Sequence, residues 1–165
     1  MITVYGEYNS FYKQIIRYGV KIPGYYATRD GKIYSAKTNK YISQFPSKSG
    51  YLSCSLSLPK DIFKDYKFFV SKKKKNSFNL KQEVHRLIAE TFIPIDEYPP
   101  IPVEDWNNTP ETAKQFIRES AVVDHIIPDL NNNTVENLRW VTPKQNNTHR
   151  KKQDETLDAR QSSHD

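Results

Sequence analysis

An α+β fold is predicted for this chain: a small antiparallel sheet module at the N-terminus, then a core of strand, loop, strand and helix. Three observations predict it. Between Gly24 and Leu58, short runs rich in tyrosine, isoleucine and serine alternate with turn residues, as half-buried antiparallel strands do. In Glu83-Val84-His85-Arg86-Leu87-Ile88-Ala89-Glu90-Thr91-Phe92, the residues Val84, Leu87, Ile88 and Phe92 recur on one helical stripe. Finally, the apolar run Val122-Val123 leads through Asp124-His125 into an asparagine-rich loop. Leu138-Arg139-Trp140-Val141 and the helix start Thr142-Pro143 follow.

In chain order, Ser10 is expected to cap a short helix through Tyr18, with Phe11, Ile15 and Tyr18 on one face and Gly19 ending it. Tyr25–Thr28 and Lys32–Ser35 flank Asp30-Gly31, which reads as a hairpin on a primed turn. Thr38-Asn39-Lys40 makes a second turn before Tyr41-Ile42-Ser43. Tyr51 to Leu58 alternates strictly and predicts a strand with one buried face. Tyr66–Val70 and Phe78–Leu80 are expected as strands around Lys72-Lys73-Lys74-Lys75, a run that belongs in solvent or against phosphates. Pro94 ends the first long helix, and Pro94 to Trp106, with Pro99, Pro100 and Pro102, is expected to be a connection without regular structure. Thr109 is expected to cap a helix that has Pro110 at its first position and ends near Ser120. Trp140 alternates with Leu138 and is expected in the core, and Lys144 to Lys151 should be helical. The boundaries that follow are 1–82 for the sheet module, 83–152 for the core with its preceding helices, and 153–165 for a polar, disordered tail.

At 165 residues the chain can bury one moderate core or two small modules. The net charge of +6, the pI near 9.2 and the mean hydropathy of −0.79 describe a basic surface that attracts polyanions, nucleic acid first among them. Cys54 is the single cysteine, which excludes a disulfide framework and cysteine-based zinc knuckles. No apolar run approaches the roughly 18 to 20 residues needed to cross a bilayer, and the N-terminus lacks a signal-peptide pattern, so an intracellular protein is expected.

The chemistry concentrates after residue 122. Asp124 is an acceptor-only carboxylate suited to a hard cation, and the ordinary pKa of His125 suits a base that activates water. Neighbouring strand residues face opposite sides, so service to one site requires the chain to bend directly after His125. Asn137 stands where the loop closes, with an amide able to bridge backbone groups and hold the histidine loop. Asn146, with His149 and Arg150 three and four residues on, shares one face of the last helix. Together these residues read as a metal-dependent phosphodiesterase site.

The stretch from Val122 to Asn146 resembles the ββα-metal motif of HNH endonucleases, specifically the phage and intron-encoded homing type. Upstream, Ile22-Pro23-Gly24-Tyr25-Tyr26, Asp30-Gly31-Lys32-Ile33-Tyr34-Ser35, Ser49-Gly50-Tyr51-Leu52 and Val84 to Phe92 are similar to the sheet module and helix that precede that core. The resemblance covers about residues 21 to 147. It implies Asp124 as metal ligand, His125 as general base, Asn137 as orienting residue and Asn146 as second ligand, around one Mg²⁺ or Mn²⁺. Some HNH enzymes end the motif with histidine, which makes His149 the competing ligand. The chain departs from the group in a longer connection from Phe92 to Val123 and in showing no helix-turn-helix repeat after Arg150. The expected partner is double-stranded DNA, met by a monomer or weak dimer that nicks one strand. Lys72, Lys73, Lys74, Lys75, Arg139, Lys144, His149, Arg150 and Lys151 are its candidate contacts. Two other readings stay open: a DNA-binding protein without catalysis, and a structural zinc on His85, His125 and Asp124.

Overall fold

The computed structural model describes residues 11–63 and 76–149. The expectations for Tyr66–Val70, Lys72 to Lys75, Arg150, Lys151 and the tail 153–165 lie outside the described residues. Contacts group the chain into two units, one of residues up to Pro94 with His125–Leu138, the other of Ile95–Asp124 with Arg139 onward. The expected border at residue 83 is not where contacts thin out, because the helix after it packs on the sheets before it.

In the first unit, β1 (Tyr12–Arg17), β2 (Val20–Thr28), β3 (Ile33–Ser35) and β4 (Lys40–Tyr41) form one antiparallel sheet in sequence order. The helix expected from Ser10 to Tyr18 is instead a strand. Its buried residues, Ile15 and Arg17, alternate, and Arg17 pairs with Val20 across the two-residue loop Tyr18-Gly19. Both loop residues have positive φ, 53° and 73°, as a primed turn demands. Gly19 therefore serves a hairpin where a helix end was expected; a positive φ suits both.

The Asp30-Gly31 turn is not of the primed kind. Gly31 N–H donates to Thr28 O and Thr28 N–H to Lys32 O, with positive φ at Gly31 and not at Asp30, which is a type I turn with a glycine bulge. A second sheet joins β5 (Phe45–Pro46), β6 (Leu52–Pro59) and β7 (Ser77–Glu83). Along β6, Cys54, Leu56 and Leu58 are buried while Ser55 and Ser57 are exposed, the alternation read from the sequence.

Helix α1 (Val84–Phe92) buries Val84, Leu87, Ile88 and Ala89 against β1, β2 and β6. It also carries a charge into the interior. Glu90 pairs with Arg17, only 6% exposed, and accepts from Tyr18 N–H at 3.0 Å, while Arg17 Nε donates to Gln82 at 2.6 Å. Burial raises the Glu90 pKa despite its partner. This ion pair fixes the first hairpin on the helix, and hydrophobic periodicity gives no sign of it.

In the second unit, α2 (Val103–Asn108) begins directly after Pro102 and buries Trp106, so the connection expected to lack regular structure holds a short helix. Proline is compatible with that start because the first helical N–H groups need no partner within the helix. Helix α3 (Glu111–Ser120) takes Pro110 as its cap; Thr109 closes α2 instead, donating its hydroxyl to Asp105 O at 2.7 Å. Arg118 pairs with Asp96 and Glu111 at 2.6 Å each and lies over the Trp106 ring.

Strands β8 (Val122–His125) and β9 (Leu138–Val141) pair as a two-stranded sheet, and residues 143–149 form α4. Thr142 Oγ1 accepts from Gln145 N–H at 3.3 Å and Gln145 Oε1 accepts from Thr142 N–H at 2.7 Å, a reciprocal cap that starts α4 where the sequence placed it. Trp140 is half-buried, whereas Leu138 and Val141 are buried. Among the described residues no helix is long and apolar enough to cross a membrane.

Candidate active site

His125 and the residues around it belong to the first unit. β8 ends at His125, and residues 126–128 bend away directly after it. His125 is only 4% exposed. Its ring stacks on Tyr51 at 5.9 Å and 22°, with the His85 ring 5.3 Å away. Its Nε2 lies 2.8 Å from Oδ1 of the buried Asn133.

The loop that carries these groups is tied from within. Asn137 Oδ1 accepts from Ile127 N–H at 2.8 Å, and its Nδ2 donates to Ile127 O at 3.3 Å and to Asn132 O at 2.9 Å. The Asn137 amide thus bridges backbone groups on both arms of the loop. Ile126 N–H donates to Asn137 O at 2.9 Å, and Val135 N–H donates to Arg29 O at 2.9 Å, which fastens the loop to the β2–β3 turn. At that turn the backbone of Asn133 passes so close that a Cβ on Gly31 would stand 2.8 Å from its carbonyl oxygen. The bend leaves Ile126 and Ile127 exposed beside His125.

The structure buries His85 between Tyr51 and His125. Burial is the main reason its pKa falls to about 3, with the charges of His125, Arg86 and Arg17 adding to it. Its Nδ1 is buried without a partner, as is Nδ2 of Asn133. Among the described residues no three His, Cys, Asp or Glu side chains come together, so the zinc reading lacks a donor set.

Asp124 and the residues around it belong to the second unit. Asp124 Oδ2 accepts from Arg139 Nε at 2.9 Å and Nη2 at 2.8 Å, and His149 Nδ1 lies 3.2 Å from the same oxygen. Arg139 also contacts His149 directly. Both were expected among the DNA contacts; here they surround Asp124. Asp124 Oδ1 and the Asn146 carboxamide have no hydrogen-bond partner among the described residues, and Asn146 is half-buried on α4. Two uncommitted oxygen donors of this kind fit a hard divalent cation. Lys144 is exposed on α4.

Sequence reading passed over Asn133, which looked like one of three ordinary loop asparagines, and Tyr51, whose aromatic ring gave no hint of a histidine above it. It also passed over a basic concavity of about 620 Å³ in the first unit. That hollow is lined by Arg17, Lys48, Lys81 and Arg86 with Glu83 and the Ser47–Ser49 turn.

No protein-family model matches the chain. It is 31% identical over 125 residues to Uncharacterized HNH endonuclease L245 of Acanthamoeba polyphaga mimivirus, a match over 76% of this chain and 26% of that protein. The same identity over 125 residues relates it to Uncharacterized HNH endonuclease L247 of that virus, covering 22% of the relative. The chain therefore spans about a quarter of the length of these relatives, which come from a giant virus rather than a phage. Among solved structures it is similar to the HNH homing endonuclease I-HmuI, described for DNA binding and cleavage. The TM-score is 0.53 and the identity 25%, over 86% of this chain and 58% of that one. Motif, fold and these relatives agree in likening the chain to the HNH endonucleases.

Proposed function

We propose that this chain is a divalent-metal-dependent DNA endonuclease that hydrolyses one phosphodiester bond per event, nicking double-stranded DNA. The observation that carries the reading is the histidine seat: His125 is buried on Tyr51, bonded at Nε2, and joined by one peptide bond to Asp124. A ring so confined has little rotational freedom to lose, which is what a general base needs. His125 takes a proton from water, and the resulting hydroxide attacks phosphorus. Asn137 keeps the histidine loop from shifting, and Arg139 and Lys144 offer positive charge to phosphate oxygens.

Asp124 and Asn146 would hold Mg²⁺ or Mn²⁺, with His149 as the competing partner of Asp124. When bound, such an ion supplies charge stabilisation at the phosphate and the departing oxygen. DNA would be attracted mainly by charge, through the basic concavity of the first unit and α4 of the second.

Supercoiled plasmid incubated with protein in Mg²⁺ should become open circles, and EDTA should stop the conversion. His125→Ala should abolish nicking while leaving DNA binding in a gel-shift assay nearly intact. DNA binding without any nicking by the wild type in Mg²⁺ or Mn²⁺ would replace the nuclease with the non-catalytic reading. Asn146→Ala and His149→Ala, compared for the Mg²⁺ concentration that half-saturates nicking, identify the second ligand by the larger shift.

A further inference from the structure

We infer that Asn133 is a positioning residue that holds His125 in the Nε2–H tautomer, so that Nδ1 is the nitrogen that receives the proton from water. The inference deepens the nuclease reading and rests on it.

The amide oxygen of Asn133 faces His125 Nε2 at 2.8 Å. An amide oxygen only accepts, so Nε2 must carry the proton, and a neutral imidazole then has its lone pair on Nδ1. Nδ1 has no hydrogen-bond partner among the described residues, which leaves its lone pair uncommitted. In the reaction, the O–H bond of water breaks as its proton passes to Nδ1. The oxygen bonds to phosphorus, the bond from phosphorus to the bridging oxygen breaks, and the departing alkoxide takes a proton from solvent. The imidazolium gives its proton back to bulk water.

Two features show that Asn133 is placed for this contact rather than for stability. Its backbone is held in the close passage over Gly31, between Asn132, whose carbonyl accepts from Asn137, and Val135, fastened to Arg29. Its own Nδ2 is buried with no partner, a defect that an apolar side chain of similar size would not have. A loop built only to pack has no use for an amide whose one satisfied atom is aimed at the base.

The test combines a spectrum with kinetics. In ¹⁵N-labelled wild-type protein at about pH 8, long-range ¹H–¹⁵N spectra should show His125 with protonated Nε2 and unprotonated Nδ1; the opposite pattern overturns the inference. Asn133→Asp still accepts from Nε2–H and adds negative charge, so it should keep nicking while moving the acid limb of the pH–rate profile upward. Asn133→Leu should lower kcat on the order of 10- to 100-fold with KM nearly unchanged, as loss of an outer partner of a catalytic ligand does. Equal losses in both variants with an unmoved pH profile mean a merely structural residue and also overturn it. If the wild type does not nick DNA, the nuclease reading fails on that result alone, and the spectrum still decides the tautomer.

Discussion

Acid should destabilise this protein through His85 before its carboxylates are protonated. His85 is 3% exposed, and burial takes its pKa from 6.5 to about 3. Glu83 lies 3.6 Å from Nε2 and would favour a charged ring, but Arg86 holds the same Glu83 oxygen at 2.9 Å, so burial prevails. Once unfolded, the ring regains its ordinary pKa. The folded pKa is the lower one, so the stability His85 contributes is complete above pH 6.5 and is lost as pH falls toward about 3. At about 1.4 kcal/mol per unit, the loss is about 2 kcal/mol by about pH 5 and up to about 5 kcal/mol across the whole window.

Few other groups interfere. Asp30 and Glu136 have lowered pKa values, so their contributions fade only below the ordinary values of 3.8 and 4.5. Glu90, raised by burial, works with the opposite sign and is present in both proteins to be compared. Urea unfolding of the wild type and of His85→Phe, between about pH 7.5 and pH 5, should give curves that converge by about 2 kcal/mol toward acid. His85→Leu serves if the larger ring does not fit. Stabilities that fall in parallel would refute the argument, because the buried neutral imidazole would then not be what acid attacks.

Three further outcomes can be checked. Gly31→Ala places a side chain at φ +85° and 2.8 Å from the Asn133 carbonyl oxygen, and should cost about 2 kcal/mol or more in thermal unfolding while lowering nicking in proportion to the displaced loop. Asn137→Ala removes hydrogen bonds to Ile127 N, Ile127 O and Asn132 O; a loss of about 2–3 kcal/mol, with faster amide exchange at Ile127, is expected, and an unchanged exchange rate would show that the loop holds without it. Lys48→Gln with Lys81→Gln should weaken DNA binding uniformly across sequences and flatten its salt dependence by up to about two units of slope, whereas an unaltered slope would place the DNA elsewhere.

What the sequence disclosed and what it hid have different physical causes. Strict alternation made β6 legible, a 3.6-residue stripe made α1 legible, and the Thr142-Pro143 start made α4 legible, because each signal is written within one element. β1 was misread because Phe11, Ile15 and Tyr18 fit a helical spacing, while the features that make it a strand are remote: a partner in β2, an ion pair to Glu90, and a bond from Ile16 N–H to Thr91 Oγ1. Thr109 failed as a cap because two helices compete for it, and its hydroxyl is already bonded within the first of them. For the candidate site, Asp124, His125, Asn137 and Asn146 were proposed from local order and resemblance. Asn133, Tyr51 and His85 needed three-dimensional contacts, since their importance lies only in facing one ring.

Arg139 shows what charge read from sequence leaves out. A lysine- and arginine-rich chain invites every cation to be counted toward DNA, yet the Arg139 guanidinium makes two hydrogen bonds to one oxygen of Asp124. Only 11% of the Asp124 side chain is exposed, and a carboxylate with so little access to water is costly to bury without a partner of opposite charge. Arg139 is that partner. It engages Oδ2 and leaves Oδ1 uncommitted among the described residues, the oxygen that a divalent ion would take on the proposed metal-dependent reading. On the nuclease reading, the positive charge that steadies Asp124 is then also at hand for the phosphate, and the two roles, ion-pair partner and DNA contact, belong to one side chain in successive states of the site.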